Sequence, residues 1–334
     1  MKYIGNLQDT KEFTVTDEYI YCSGNNLHVY NNLLKLVYTI NCQCFTVEKF
    51  GNNVLFQIEN GQSMYLIRGA CHSNIAREKY YLFRNIISSE TIFILRDDDL
   101  ITQFDYNLQE IKTHSIGRFP KMIFSNKTIR LPNLSIVCCD LDSNIQLWQH
   151  SFSELLPPIQ TADNLFQNGN MIIHNGCLYF SLFENNRHLN TATICIDIET
   201  GKVENIFKGF AGNLSLFGNN IGIVSNTTIQ ILNTKSNSII IKDYPELLQK
   251  EKIYLGWNSF LISEDELMYF IGNGQGMGSH VGIIDLKTDE LVWLHGLNPN
   301  KEIYEVAARD IKISDDRLYV HCSDNTLHIF ENEK

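Results

Sequence analysis

The two ends of the chain carry the same nine-residue segment, and this repeat constrains the fold more than any other feature of the sequence. The segment that begins at Cys22 reads CSGNNLHVY, and the one that begins at Cys322 reads CSDNTLHIF. Five positions are identical, and two more exchange similar side chains. Each copy is a short apolar strand, a polar turn and a second strand with apolar residues two apart, which is the pattern of a tight β-hairpin. The repetition predicts a repeat protein.

A related hairpin pattern recurs six times between the ends, and short apolar runs precede or follow most of the hairpins. Four short strands about every forty residues are the period of a β-propeller blade. The sequence therefore predicts an all-β fold in which residues 1–334 form a single β-propeller domain. About eight four-stranded blades are expected, with seven as the alternative, because the region 121–148 is the least regular. The internal hairpins lie at residues 54–67, 92–104, 136–148, 178–196, 221–232 and 267–284.

Two repeats carry a recognisable motif. Residues 194–203 read ICIDIETGKV, and residues 283–293 read IIDLKTDELVW. Both resemble the repeats of PQQ-like β-propellers, which with the WD40-like propellers form the superfamily that this chain is similar to. The resemblance implies that Asp197 and Thr200 hydrogen-bond the turn backbone and that Gly201 supplies a positive φ.

The chain ends indicate how the last repeat is completed. This repeat stops at Phe330, and the few residues that follow are too short for an outer strand. An apolar stretch near the amino terminus belongs to no repeat. Residues 2–7 are therefore predicted to be the outer strand of the last blade, whose inner three strands come from 309–331, so that two sheet edges are covered.

Charge and cysteine usage limit the partners that the chain can have. The sequence has 27 Lys and Arg against 38 Asp and Glu, a formal net charge of −11. Such a field repels nucleic acids and anionic membranes and favours a basic protein partner. No secretory signal is visible at the amino terminus, and the nine Cys lie mostly in apolar strand-like runs. A reduced, cytoplasmic monomer without nucleic-acid or membrane contacts is expected.

The candidate binding residues come from one predicted face. Loops between the second and third strands of propeller blades share that face with the connectors between blades, and function usually lies there. Arg118, Trp257 and Arg309 are assigned to connectors. The full candidate set is Asp97, Asp98, Asp99, Asp140, Asp142, Arg118, Arg187, His188, Trp257, Gly274, Gly276, His280 and Arg309.

The acidic and glycine-rich members of this set have two interpretations each. Asp97–Asp99 with Asp140 and Asp142 could hold Ca²⁺ or Mg²⁺, but the spaced pattern of a calcium loop is missing, so solvated acidic turns are favoured. The four alternating Gly of 272–280 suit either a flexible hairpin turn or a binding loop. The Cys lack the paired spacing of zinc sites. No metal, no cofactor and no catalytic residue is predicted.

The predicted function is a non-catalytic protein-binding scaffold with an acidic loop face. One version is an inhibitor or immunity protein that covers a basic partner. The alternative is a propeller enzyme, or a binder of a small ligand such as a glycan, with its site at the mouth of the central channel. Standard hydrolase signatures do not occur in the sequence. The alternative site would use Asp97–Asp99, Arg118, His188, His280 and Arg309.

Deleting residues 1–8 tests the predicted role of the amino-terminal strand. Because the deletion would leave the last blade without its outer strand, we expect cooperative loss of the folded state instead of the trimming of a loose tail. Thermal denaturation followed by circular dichroism measures the effect. A truncated chain that melts like the full one contradicts this assignment.

Overall fold

The computed structural model describes residues 1–41, 44–50, 53–58, 63–68, 71–76, 80–82, 86–87, 91–96, 100–105, 109–116, 120–159, 164–184, 190–251, 253–274, 279–297 and 307–333. Within these ranges no helix is long and apolar enough to cross a membrane.

Short strands dominate the first half of the described chain. They are β1 (Lys2–Leu7), β2 (Glu12–Val15), β3 (Tyr19–Ser23), β4 (Leu27–Asn31), β5 (Leu36–Ile40), β6 (Cys44–Phe50), β7 (Asn53–Ile58), β8 (Ser63–Arg68), β9 (Cys71–Ala76), β10 (Tyr80–Leu82), β11 (Ile86–Ile87), β12 (Ile92–Arg96), β13 (Leu100–Phe104), β14 (Glu110–Ser115), β15 (Met122–Phe124), β16 (Lys127–Arg130), β17 (Ser135–Asp140) and β18 (Gln146–Ser151).

The second half adds longer strands and two short helices. They are α1 (Phe152–Leu155), β19 (Leu165–His174), β20 (Cys177–Glu184), β21 (Thr191–Asp197), β22 (Val203–Lys208), β23 (Ser215–Phe217), β24 (Asn220–Ser225), β25 (Thr228–Asn233), β26 (Ser238–Asp243), α2 (Pro245–Glu251), β27 (Ile253–Ile262), β28 (Leu267–Gly274), β29 (Ser279–Asp285), β30 (Glu290–Gly296), β31 (Ala308–Ser314), β32 (Arg317–Cys322) and β33 (Leu327–Glu331).

Neighbouring strands form seven of the sheets in the described chain. Their orders are β2-β3-β4-β5, β6-β7-β8-β9, β10-β12-β13-β14, β11-β15-β16-β17-β18, β19-β20-β21-β22, β23-β24-β25-β26 and β27-β28-β29-β30. One further sheet has the order β1-β33-β32-β31, so it joins a strand from one end of the chain to three strands from the other. Four antiparallel strands are the common unit, and β11 is a fifth strand that pairs parallel with β15.

The chain divides into two compact units. One consists of Met1–Ile4, His150–Asp324 and His328–Lys334, and the other of Gly5–Gln149 and Asn325–Leu327. The sheets formed by β19 to β30 belong to the first unit, and those formed by β2 to β17 belong to the second.

An Asp or Asn at the end of the third strand caps the turn to the fourth strand in several sheets. Asp197 Oδ1 accepts hydrogen bonds from the backbone N–H of Glu199 and Thr200, at 3.1 and 2.7 Å, and from the Thr200 hydroxyl at 2.8 Å. Gly201 follows with φ +73°. The turn chemistry implied by the PQQ-like motif is therefore confirmed here. Equivalent capping residues are Asn31, Asp140, Asn233 and Asp285.

One predicted hairpin was assigned to the wrong strands. Residues 136–148 hold parts of the third and fourth strands of their sheet, β17 and β18, instead of the second and third. The second strand is β16, whose single apolar side chain, Ile129, gives too weak an alternation to recognise. Its Thr128 is nevertheless fully buried and pairs opposite Cys139.

The second strands of the sheets are the most buried, whereas the fourth strands have an exposed side. In β20 every residue after Cys177 is buried. A core cluster joins β23–β26 to β27–β30, with Met268 and Phe270 completely buried at its centre. This packing explains why most second strands are near-continuous apolar runs.

Gly282 provides a test of this close packing. It lies on β29 opposite Phe270, and a Cβ added there would stand 2.7 Å from Phe270 Cε1 and 3.1 Å from Leu294 Cδ1. We expect Gly282→Ala to lower the free energy of unfolding by about 1–3 kcal/mol, as overpacking does.

Gly296→Ala is the matched control in the adjacent strand. There the added Cβ would meet only ordinary van der Waals contacts, the nearest being His280 Nε2 at 3.6 Å. Its free energy of unfolding should change by less than about 1 kcal/mol. Urea denaturation compares the two variants, and equal losses would contradict the packing argument.

Candidate functional site

Most of the predicted loop residues fall outside the described part of the chain. This applies to Asp97, Asp98, Asp99, Arg118, Arg187, His188 and Gly276. Gly274 is the last residue of β28, and the rest of the glycine-rich segment up to Ser279 lies outside the description. The predicted acidic loop face and the glycine-rich binding loop therefore stay predictions.

The prediction that Asp140 lies in a loop between second and third strands is wrong. Asp140 ends β17, the third strand of its sheet, and caps the turn to β18. Its Oδ1 accepts the backbone N–H of Ser143 at 2.7 Å and the Ser143 hydroxyl at 2.8 Å. These hydrogen bonds lower the pKa of the Asp140 carboxyl. Asp140 thus caps the turn that follows it, as Asp197 does in its own sheet.

Asp142 lies in the same turn and holds two sheets together. Its Oδ1 accepts a hydrogen bond from Lys112 Nζ at 2.6 Å and stands 3.0 Å from His114 Nδ1, both on β14 of the preceding sheet. Burial lowers the pKa of His114, and Asp142 opposes that shift. The lysine compensates the charge of Asp142, so this aspartate contributes less to an acidic patch than the sequence suggested.

Two residues assigned to connectors belong to first strands instead. Trp257 is part of β27, at a bulge between Leu255 and Phe260, and its side chain lies outside the description. Arg309 is exposed on β31, beside a bulge between Ala308 and Asp310. Bulges interrupt the alternation of a strand, which is why both sequences looked like connectors.

His280 is half-buried on β29, opposite Gly296 of β30. It belongs to a different sheet from Arg309. His280 lies close enough to His295 for its charge to lower the pKa of that imidazole. His280 therefore borders an aromatic group that the sequence did not indicate.

This group, the Tyr3 ring cluster, consists of Tyr3, Trp293, His295, His328 and Phe330. The rings of Tyr3 and His295 stack with centroids 5.7 Å apart, and Trp293 stacks on His295 at 5.9 Å. Tyr3 also contacts Phe330 at 5.3 Å and His328 at 6.0 Å. The cluster fixes β1 against β33 and β30, so it is a structural contact between distant parts of the sequence.

Burial keeps the two histidines of the Tyr3 ring cluster neutral. It is the main cause that lowers the pKa of His295, with His280 adding to the effect. Burial also lowers the pKa of His328, reinforced by His295 and opposed by Asp324. His328 Nε2 is buried without a hydrogen-bond partner among the described residues. Nor does any group of three His, Cys, Asp or Glu in the described ranges have the geometry of a metal site.

His28, at the equivalent position of the repeated hairpin, has a different contact. Its Nδ1 lies 2.9 Å from the hydroxyl of Thr39 on β5, the fourth strand of its sheet. The corresponding edge beside His328 is occupied by β1 with Tyr3. Both histidines thus link a third strand to the strand beside it.

A groove lies at the carboxyl end of the outer strand β26. Its volume is about 540 Å³. Asp289 lies at one side of it and accepts hydrogen bonds from Lys242 Nζ and the Tyr244 hydroxyl, both at 2.7 Å. Lys242 and then Tyr244 lower the pKa of the Asp289 carboxyl. The lining of this β26 groove is Ile241, Lys242, Asp243, Tyr244, Pro245, Glu246 and Asp289.

Three consecutive isoleucines on β26 are exposed beside this groove. Ile239, Ile240 and Ile241 are 36%, 55% and 64% exposed. These isoleucines were not among the candidate binding residues predicted from the sequence. The sequence feature that could have indicated this surface is the unbroken run of three Ile on an outer strand, which pairs with another strand along one edge.

Comparison with known proteins identifies the fold. No family model matches the sequence, and no curated protein matches it. BamB from Moraxella catarrhalis has a similar structure, with 9% identity, 99% of each chain covered and a TM-score of 0.62. The β-propeller domain of Cps50 (Swd1) from Myceliophteria thermophila matches with 10% identity, 98% and 99% coverage and a TM-score of 0.53.

The fold is a β-propeller. The predicted relation to the propeller superfamily is therefore confirmed at the level of fold. A third similar structure is the dihydro-heme d1 dehydrogenase NirN, with 12% identity, 87% of this chain and 66% of that chain covered, and a TM-score of 0.57. At these identities the likeness shows the fold alone, and propellers with different functions share it.

The buried histidines predict an acid-sensitive propeller. Because burial lowers the pKa of His295, His328 and His114, the folded state takes up protons less readily than the unfolded chain. The free energy of unfolding should be fully retained above the ordinary histidine pKa of about 6.5 and decline below it, by up to about 1.4 kcal/mol per pH unit for each group.

His328→Phe should weaken the pH dependence of the free energy of unfolding, because it removes one titrating group. The substitution breaks no hydrogen bond of Nε2, which has no partner among the described residues. Phe330→Leu is the control, since it removes packing but no charge and should lower the free energy of unfolding equally at all pH values. Urea denaturation between about pH 8 and pH 5 distinguishes them. An unchanged pH slope for His328→Phe would argue against the assignment.

Proposed function

We propose that this β-propeller is a protein-binding scaffold. The observation that carries the proposal is the exposed apolar surface on the outer strands of its sheets. Soluble proteins rarely leave such side chains in contiguous groups unless a partner covers them. The contiguous groups are Leu36 with Val37 on β5 and Ile239 to Ile241 on β26.

The charge of the chain favours a basic partner. With a formal net charge of −11, the propeller attracts positively charged surfaces over distances up to about a Debye length. Electrostatic attraction of this kind raises the association rate and selects among partners. In its most specific form the proposal is that the chain is a cytoplasmic inhibitor or immunity protein that covers a basic protein. This form rests on net charge and size.

Affinity capture from an extract of the native source at low salt tests the scaffold proposal. We expect a stoichiometric basic protein, identified by native mass spectrometry and released as the salt concentration rises, because screening weakens the attraction. An unrelated protein of similar size and net charge serves as the parallel bait, so that non-specific retention of basic proteins is subtracted.

Two results would contradict the proposal. One is a set of captured proteins identical to that on the control bait. The other is a chain that carries only a small-molecule mass, which would favour the alternative of an enzyme or ligand binder. If association with a captured partner does not respond to salt, the claim that the partner is basic is wrong, but the claim that the chain is a protein-binding scaffold stands.

A further inference from the structure

The outer edge of β26 offers backbone groups for pairing with another strand. β26 is the last strand of its sheet, and β25 pairs with one of its edges only. Tyr244 N–H donates to Thr227 O at 3.0 Å, so the residue after β26 still points its backbone toward the β25 side. Because this direction alternates along a strand, Ile239, Ile241 and Asp243 point their N–H and C=O groups to the outer edge.

This edge lacks the usual protection against strand addition. Outer strands normally carry charged residues or Pro, which discourage pairing with another chain. The outer strand β22 is an example, with the charged residues Glu204 and Lys208. Among the outer strands that the structure describes, only β26 exposes three apolar side chains in a row. Its first charged side chain, Lys242, turns toward the neighbouring sheet and bonds Asp289 and Leu286 O.

The charges of the β26 groove indicate the chemistry of an occupant. Asp243, Glu246 and Asp289 supply three carboxylates, and Lys242, the single cation of the lining, already pairs with Asp289 at 2.7 Å, so Asp243 and Glu246 carry the uncompensated negative charge of the lining. The carboxylates lie at one end of the strand, and the isoleucines occupy the rest. A complementary strand therefore carries a Lys or Arg at one end and apolar side chains at alternate positions along the rest.

A second copy of this chain fits the groove less well. It would bring its own acidic groove and a net charge of −11 to the same edge. Like charges that approach each other oppose such a pairing.

We propose that the β26 groove binds an extended segment of a partner protein, which adds a strand to β26 and places a basic side chain beside Asp243 and Glu246. This inference rests on the proposed scaffold function and assigns it a surface. Backbone pairing supplies affinity, and the isoleucines with the carboxylates supply selectivity.

A displayed library of random peptides, each about twelve residues long, is the probe for the full-length chain. We expect the enriched peptides to combine alternating apolar residues with a Lys or Arg, and their binding to protect the amides of Ile239, Ile241 and Asp243 from hydrogen exchange. Fluorescence anisotropy then gives the Kd of an enriched peptide for each variant.

Ile241→Pro removes one outward N–H without touching the ladder to β25, and we expect it to raise the Kd about tenfold or more. Lys208→Pro is the matched control. It lies on β22, where Gly209 N–H donates to Thr191 O, so that Lys208 also points its N–H outward. This control should leave the Kd unchanged.

Glu246→Lys is a second variant, which tests the groove without introducing a proline that could impair folding. It reverses a charge on the exposed start of α2 and should weaken the basic peptides several-fold, with a loss that shrinks at high salt. Thermal melting confirms that each variant is folded.

Three outcomes would overturn the inference. They are the absence of enriched peptides, peptides whose Kd is insensitive to both Ile241→Pro and Glu246→Lys, and a dimer of the chain that Ile241→Pro dissociates in analytical ultracentrifugation. The scaffold proposal is tested separately, because a partner captured from extract that binds Ile241→Pro normally would leave the scaffold intact and remove only the β26 groove.

Discussion

The pairing of β1 with β33 is the interaction on which the rest of the architecture depends, because it makes one sheet from the two ends of the chain. Without β1 the edge of β33 would be open, and its buried residues would lose the cover that Tyr3 provides. The Tyr3 ring cluster adds side-chain packing to the backbone pairing. Neutral imidazoles are suited to this position, since a buried charge would cost more than the ring contacts contribute.

Much of the fold could be predicted from the sequence because inner strands and turns leave local signals. Seven hairpins matched second and third strands, and the Asp197 turn followed from its motif. The failure at residues 136–148 has a physical cause. The two buried residues of β16 are Thr128 and Ile129, so its sequence holds a single apolar side chain and is too polar to stand out.

The surface was harder to predict than the fold. Asp140 and Asp142 looked like members of an acidic face, yet they cap a turn and bond Lys112, because a carboxylate's partners are decided by tertiary neighbours. The β26 groove was missed for the converse reason. A run of isoleucines in a sequence usually indicates a buried strand, and only the arrangement of the sheets shows that this run is exposed.

The sheet that joins the chain ends also has a consequence for biosynthesis. Residues 2–7 are synthesised well before their partner strand, residues 327–331. Until that strand emerges from the ribosome, Tyr3 and the rest of β1 lack their partner β33, whereas the other sheets can assemble from neighbouring strands as they emerge. Completion of this sheet therefore follows the synthesis of all the other sheets, and the nascent protein carries the unpaired strand β1 until then.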